Sequence, residues 1–321
     1  GDYDHEVIHG SLPESRWQMK VILKKMGIGI VIVCAIGIGT IYVWSWLIMN
    51  KTYDLPFTSL NIPTHAASIE EGARLVRIAH CKDCHGEQFR GRVFREFDYK
   101  VKLVTPNVTQ IVSGYSNEEL EMLIRHGVKK NKRSVYFMPS PMYYELKDES
   151  VAKIIAYLRT IKPLLTPKNL PDDHTFYPLG RLEIIKGKFI QREFYKGAAD
   201  KIDHAAPQQY ANHDTTQLEF GKYLTMTTCS NCHGRNLKGN LAGTTPNLAI
   251  VNAYTKEQFI HLLKTGEGAL GRKNLGLMSI MGKDHFRYLN EKEMNAIYSF
   301  LKTLGRQQKH ATVRTPSGKN N

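Results

Sequence analysis

Cysteine is scarce in this chain of 321 residues, which contains five. Four of them stand in two Cys-x-x-Cys-His motifs, Cys81–His85 and Cys229–His233, so Cys34 alone is left and a disulfide framework is excluded. A structural zinc site needs a second cysteine pair or a histidine pair close by, whereas the two motifs start 148 residues apart (81 to 229). A thioredoxin-like redox pair would not explain the histidine that closes both motifs.

Each of the two motifs is instead the attachment signature of a c-type heme. The two thiols add across the two vinyl groups of one porphyrin, and the adjacent histidine then lies under the iron as its fifth ligand. One copy can arise by chance, but two copies within matching sequence contexts are specific. The sequence therefore predicts two covalently bound hemes c, with Cys81, Cys84, Cys229 and Cys232 as attachment residues and His85 and His233 as iron ligands.

One uncharged segment, Met26–Met49, is 24 residues long, which matches the apolar core of a bilayer. Tyr42, Trp44 and Trp46 lie near one end, where aromatic side chains suit the headgroup boundary. The sequence "SWLIMNKTYD" across the end of the segment offers no small-residue cleavage site, so a signal peptide is disfavoured. A buried core helix is the alternative, and the length of the uncharged run argues against it. We expect a retained transmembrane anchor.

The charges flanking this segment predict its orientation. Lys51 stands alone after the segment, and the basic residues before it are Arg16, Lys20, Lys24 and Lys25. The positive-inside rule therefore places residues 1–25 in the cytoplasm and everything after Asn50 outside. Heme attachment to these motifs takes place in the same outer compartment. We expect a single-pass protein of the bacterial inner membrane with its heme domains in the periplasm.

The rest of the chain contains an internal repeat. The first copy begins "SIEEGARLVRIAHCKDCHGEQFRG" and the second "TTQLEFGKYLTMTTCSNCHGRNLKG". Further matches are "TPNVT" with "TPNLA", "YSNEELEMLIRHG" with "YTKEQFIHLLKTG", and "LKDESVAKIIAYLRTI" with "LNEKEMNAIYSFLKTL". The last two pairs have apolar residues at helical spacing. The sequence predicts an all-α fold with one transmembrane helix and two helical domains, at 66–162 and 214–304, separated by a proline-punctuated linker at 163–213 and followed by a basic tail at 305–321.

The order of these motifs resembles the mono- and diheme class I cytochromes c that serve as membrane-anchored subunits of bacterial respiratory complexes. The resemblance covers both repeats and implies a class I cytochrome c fold for each. It also implies that Pro106 and Pro246, in the two "TPN" elements, help to orient the histidine ligands. The layout of one anchor and two heme domains is similar to the diheme subunit of cbb-type heme–copper oxidases, although the domain sequences fit that subunit less well.

In this family a methionine fills the sixth iron position. In the first repeat "YFMPSPMYYEL" offers Met138 and Met142, and the following proline makes Met138 the expected ligand, with Met142 as a packing residue. In the second repeat "LGLMSIMGKDHFRYL" offers Met278 and Met281. Counting forward from the middle helix favours Met278 and counting backward from the closing helix favours Met281. We favour Met278 and keep Met281 as the alternative.

Four further histidines lie in the heme domains, and a methionine in the expected loop makes them packing or surface residues rather than ligands. They are His80, His126, His261 and His285.

The formal charge of +14 favours an acidic redox partner, with an anionic lipid surface as the alternative. The compartment excludes nucleic acid as a partner.

We expect the chain to relay single electrons and to catalyse no bond-making chemistry of its own. Its partners are predicted to be cytochrome b and a Rieske protein, or a heme–copper oxidase, with a soluble cytochrome or another carrier beyond. The first alternative is the electron-accepting cytochrome subunit of a periplasmic dehydrogenase, although many such subunits carry a third Cys-x-x-Cys-His motif. A diheme peroxidase is the second alternative, and the two methionine loops argue against it because a peroxidase needs an open iron position.

Overall fold

The computed structural model describes residues 12–187, 197–211, 216–239 and 245–313. Parts of four predicted segments lie outside the described residues. They are residues 1–11 of the predicted cytoplasmic segment, residues 188–196 and 212–213 of the linker, residues 214–215 and 240–244 of the second domain, and residues 314–321 of the basic tail.

The first helix, α1 (Leu12–Met49), begins fourteen residues before the uncharged run and ends with it. Its part from Arg16 to Met49 is the one helix among the described residues that is long and apolar enough to cross a membrane. Large apolar side chains are exposed on all sides of it rather than on one stripe. A helix that is apolar all round needs an apolar environment, which a bilayer supplies.

The first repeat, at 66–162, is built from short helices around one core. Its helices are α2 (Ala66–Ile78), α3 (Cys81–His85), α4 (Val108–Gly114), α5 (Asn117–Glu121), α6 (Ser140–Tyr143) and α7 (Asp148–Arg159), and a π-helical turn (Met122–His126) continues α5. The first and last of these cross closely: a Cβ on Gly72 of α2 would lie 2.0 Å from the Lys153 carbonyl oxygen of α7. The apolar faces of both helices close one core that includes Val76, Leu120 and Ile155.

The second repeat has the same order of elements. Its helices are α9 (Gln217–Thr228), α10 (Ser230–His233), α11 (Lys256–Thr265), α12 (Leu277–Asp284) and α13 (Glu291–Val313), with 3₁₀ turns at Leu248–Ala253, Ala269–Gly271 and Phe286–Tyr288. Here a Cβ on Gly221 of α9 would lie 2.0 Å from the Ala296 carbonyl oxygen of α13. The predicted all-α class is confirmed, because helices account for 59% of the described residues and strands for 6%.

A small antiparallel sheet, formed by two strands of the first repeat and one of the following segment, is a feature that the sequence analysis did not predict. Its strands are β1 (Arg92–Phe97), β2 (Val101–Thr105) and β3 (Thr175–Phe176), in the order β1-β2-β3. The hairpin occupies the stretch between Gly91 and Thr105, which is longer than the matching stretch between Gly239 and Thr245 in the second repeat. The difference in length between the two repeats at this point is therefore a folded insertion.

The C-terminal end of α1 packs on this sheet and on helix α8 (Pro178–Lys186). The Arg181 guanidinium of α8 lies 4.5 Å from the ring centroid of Tyr42 and donates a 3.0 Å hydrogen bond to the Ser45 hydroxyl. Ile48 and Met49 pack against a cluster that Val101, Leu103, Phe176 and Ile184 form. The first repeat is therefore fixed directly to the end of the apolar helix.

The described parts of the segment that joins the two repeats lie largely on the first one. The Asn107 side chain donates to the Leu164 carbonyl at 2.8 Å near the start of the segment. A 3₁₀ turn at Ala198–Lys201 follows, and near the end the Gln209 backbone N–H donates to the Glu145 carboxylate at 2.8 Å. His204 stacks on His126, with 2.9 Å between their Nδ1 atoms.

The two repeats also contact each other directly. The Arg74 guanidinium of α2 donates to both carboxylate oxygens of Glu293 at 2.8 Å and to the Tyr288 carbonyl at 2.9 Å. A bidentate, partly buried pair of this kind fixes orientation as well as distance. On the other side of the interface Arg235 pairs with Glu145 at 3.2 Å. Each repeat therefore presents a basic residue to a carboxylate of the other.

The helix crossing in the second repeat yields a stability prediction. Gly221→Ala places a methyl group against the Ala296 carbonyl, and because overpacking typically costs about 1–3 kcal/mol, we expect the melting temperature to fall. Gly114→Ala is the matched control, since nothing lies within 4 Å of its Cβ position. Thermal melts of the detergent-purified protein by circular dichroism compare the two. Equal melting temperatures for both variants would contradict the close crossing.

The stacked histidines yield a prediction about pH. Burial, with His204 and Arg125 nearby, lowers the pKa of His126 to about 4, and burial also lowers the pKa of His204. Because the unfolded chain takes up these protons near pH 6.5, stability is full above that pH and is lost as the pH falls toward 4. His126→Gln keeps a hydrogen-bonding side chain, so its melting temperature should fall less between pH 7 and 5 than that of wild type. An identical pH dependence would contradict the stacked, neutral pair.

Candidate functional site

Each Cys-x-x-Cys-His motif forms a short helical turn at the end of the first helix of its repeat. In the first repeat the motif is α3, and in the second Cys229 caps α10. Residues three apart lie on the same face of a helical turn, so the two cysteines of each motif face the same way. Burial raises the pKa of Cys81 to about 12 and that of Cys229 to about 11. These surroundings disfavour the thiolate on which redox-active cysteine pairs depend.

The histidine of each motif is held by one ring nitrogen. The Nδ1 atom of His85 lies 3.1 Å from the Pro106 carbonyl oxygen, and that of His233 lies 2.8 Å from the Pro246 carbonyl oxygen. Donation from Nδ1 leaves Nε2 as the atom with a free lone pair, which is the arrangement of a metal-ligating histidine. Burial lowers the pKa of both rings, which favours the neutral form that binds iron. Cysteines and histidine together fit a covalently bound heme.

The "TPN" elements do more than supply the proline carbonyls. Thr105 Oγ1 donates to the Cys84 carbonyl and Thr245 Oγ1 to the Cys232 carbonyl, each at 2.7 Å. These threonines were not singled out in the sequence analysis, although the identical Thr-Pro-Asn sequence in the two repeats is a signal that could have found them. They bind each "TPN" loop to the end of the motif turn.

A glycine six residues after each histidine allows this close approach. The backbone N–H of Gly91 donates to the His85 carbonyl at 3.1 Å, and that of Gly239 donates to the His233 carbonyl at 2.9 Å. Both glycines have φ near +80°, and a Cβ would lie 2.4 Å or less from the threonine carbonyl of the "TPN" loop. Any side chain here would therefore push the loop away from the histidine.

The candidate sixth ligands differ in how deeply they are buried. In the first repeat Met138 is partly buried at the edge of the core, whereas Met142 is 4% exposed within it. In the second repeat Met278 is partly buried at the edge, whereas Met281 is 8% exposed within the core. Each repeat thus has one methionine at the edge of its core and one inside it.

A shared contact aligns the two methionine loops. A Cβ on Gly127 would lie 3.1 Å from the Ser140 side chain, and a Cβ on Gly266 would lie 2.0 Å from the Ser279 carbonyl oxygen. Each serine follows its glycine by thirteen residues. Counted from these serines, the buried Met142 and Met281 both lie two residues later. The count backward from the closing helix had favoured Met281. That count does not compare equivalent positions, because α12, which lies between the methionine loop and the closing helix, is longer than α6.

The remaining histidines of the heme domains have protein contacts of their own. His126 pairs with His204, and the exposed His261 lies 3.3 Å from Glu267. His80 and His285 meet at the interface between the repeats, with ring centroids 4.7 Å apart.

Comparison with known protein families finds the same two repeats. The family model described as cytochrome c matches residues 69–162 and again residues 218–305. These two matches cover more than half of the chain. The predictions of a class I cytochrome c resemblance, of two hemes c and of an electron-transfer subunit are confirmed.

The similar curated proteins are cytochrome subunits of dehydrogenases. The fructose dehydrogenase cytochrome subunit of Gluconobacter japonicus is 25% identical over 272 residues, which cover 75% of this chain and 53% of the relative. The gluconate 2-dehydrogenase cytochrome c subunit of Pantoea cypripedii is 24% identical over 292 residues, or 78% of this chain and 62% of the relative. The cytochrome c subunit of a quinone alcohol dehydrogenase from Gluconacetobacter polyoxogenes is 26% identical over 118 residues, covering 33% and 25% of the two chains. The chain spans less than two thirds of the length of these relatives.

Proposed function

Since the chain belongs to the cytochrome c family and carries one covalently bound heme c in each of two domains, we propose that it is the electron-accepting cytochrome subunit of a membrane-associated dehydrogenase. Its substrate class would be alcohols, sugars or sugar acids. The observation that carries this proposal is the similarity over three quarters of the chain to cytochrome subunits of fructose and gluconate dehydrogenases.

This assignment favours the alternative of the sequence analysis over its main prediction. The similar proteins are named as dehydrogenase subunits, and none of those names refers to cytochrome b, a Rieske protein or an oxidase. The chain departs from many dehydrogenase cytochromes in having two Cys-x-x-Cys-His motifs rather than three.

We assign the heme contacts as follows. Cys81 and Cys84 hold one heme and Cys229 and Cys232 the other, with Pro106 and Pro246 orienting the histidines. His85 and Met138 would ligate one iron, and His233 and Met278 would ligate the other. Ligation by histidine and methionine would supply one-electron chemistry at a raised potential. Because two protein side chains would ligate each iron, the assignment favours electron transfer over a peroxidase activity.

Burial supports Met278 over Met281. A ligand must lie at the open edge of its core, where Met138 and Met278 lie, whereas Met281 has the buried position of Met142. Residues within a packed core cannot turn outward without leaving a cavity. Met281 is therefore assigned to packing.

For location, we propose that α1 crosses the bacterial inner membrane and that the heme domains lie in the periplasm. The excess of basic residues on the N-terminal side of the apolar run supports this orientation. The contacts of Arg181 with Tyr42 and Ser45 would then hold the first heme domain against the membrane surface. A partner docked on the same membrane would then meet the hemes at a fixed distance from the membrane surface.

Purification of the full-length tagged chain from its native membranes in mild detergent tests the proposed complex. We expect a flavin- or quinone-cofactor dehydrogenase to copurify and its substrate to reduce both hemes in the absence of oxygen. A preparation from cells with the untagged chain controls for carry-over. Copurification of cytochrome b, a Rieske protein or an oxidase subunit in place of a dehydrogenase would contradict the proposal.

The methionine assignment predicts the outcome of four substitutions to leucine. Met138→Leu and Met278→Leu should each remove from one heme the red-edge absorption band that marks methionine on ferric iron, and lower that heme's potential. Met142→Leu and Met281→Leu are matched controls that conserve volume, so both bands should persist with less than about 1.5 kcal/mol of destabilisation. Loss of the band in Met281→Leu, with the band retained in Met278→Leu, would reverse the assignment.

A further inference from the structure

A group of side chains with metal-ligating atoms lies between the two heme domains. His80 directly precedes the first heme motif, Asp83 lies between its two cysteines, and His285 follows α12 in the second domain. One ligand atom from each residue lies within 4.8 Å of those of the other two. The closest pair is His285 Nε2 and Asp83 Oδ2, 2.8 Å apart. Two imidazoles and a carboxylate from two domains therefore converge on one point.

His80 is the member of this group that ordinary packing does not explain. Both of its ring nitrogens are buried, and neither makes a hydrogen bond of normal geometry. Its backbone has φ 60° and ψ 20°, in the left-handed region that a residue with a side chain seldom adopts. Buried polar groups almost always have a partner, and a bound ion is one of the recognised reasons when they do not.

His285 is oriented as a metal ligand would be. Its Nδ1 atom lies 2.9 Å from the Arg77 carbonyl oxygen, so donation there leaves Nε2 directed toward Asp83. A carbonyl partner on the other ring nitrogen is typical of histidines that bind metals. The nearby ion pair between Arg74 and Glu293 holds the two domains together beside the group.

We propose that His80, Asp83 and His285 bind one divalent transition-metal ion of the zinc type, which fastens the two heme domains to each other. Two nitrogen donors and one oxygen donor suit such an ion, whereas calcium and magnesium need more oxygen ligands. A simple ion pair between His285 and Asp83 is the competing explanation. That pair leaves the buried ring nitrogens of His80 with only a poorly formed contact to the Thr228 backbone, and the metal ion gives one of them a ligand bond.

Zinc binding to the full-length protein with both hemes attached tests the site. After treatment with a chelator, Zn²⁺ is titrated by calorimetry, and bound zinc and iron are counted by elemental analysis. We expect one zinc per chain and an X-ray absorption spectrum at the zinc edge that shows nitrogen and oxygen neighbours. Sulfur neighbours would indicate cysteines without heme and would overturn the proposal, as would the absence of zinc binding.

Substitutions then locate the ion. His80→Gln, Asp83→Asn and His285→Gln should each weaken zinc binding by about 100-fold or more, at the upper end of the loss seen when only an outer-shell partner is removed. His126→Gln and His261→Gln remove a partly buried and an exposed histidine elsewhere, so their affinity should equal that of wild type. Zinc should also raise the melting temperature of wild type and of both controls, but not of the three site variants.

The heme absorption spectrum verifies that each variant is folded before zinc is added. Wild-type affinity in folded His80→Gln and His285→Gln would show that zinc binds elsewhere and would overturn the proposal. An equal loss in the two control variants would do the same.

Discussion

The structure depends on one close contact, made once in each repeat, between the end of the heme motif and the "TPN" loop. The threonine hydroxyl closes on a cysteine carbonyl at 2.7 Å, the proline carbonyl lies within about 3 Å of the histidine Nδ1 atom, and a glycine at positive φ lets the two backbones meet. Since a histidine ligand must be fixed in tautomer and direction, this contact sets the chemistry of the site. The close crossing of the first and last helices of each repeat positions this contact.

The arrangement of the two domains turns two separate sites into a relay. Arg74 joins α2 to the second domain, Arg235 joins the second heme motif to the first domain, and the C-terminal end of α1 is packed on the first domain. The two heme attachment motifs are consequently held in one relative position. A dehydrogenase on the same membrane would deliver electrons to a rigid acceptor rather than to a tethered one.

The sequence alone predicted those features that occur in both repeats or that follow from a local pattern of residues. The two heme motifs, the all-α class and the order of helices follow from spacing and periodicity, and the family comparison confirms two cytochrome c domains. The β1–β2 hairpin was missed because β1 is exposed on both faces and so lacks the alternation that marks a half-buried strand. The meeting of His80 with His285 arises from domain packing across about 200 residues of sequence, which no local pattern encodes.

Electron transfer between the two hemes within one molecule tests the relay most directly. Flash photoreduction of the purified, oxidised protein introduces one electron per chain, and absorbance then follows its redistribution between the hemes. If the domains hold the hemes in a fixed arrangement, redistribution occurs at a rate that does not change with protein concentration. A rate that rises in proportion to concentration would show that the hemes exchange electrons only between molecules, and it would contradict this account.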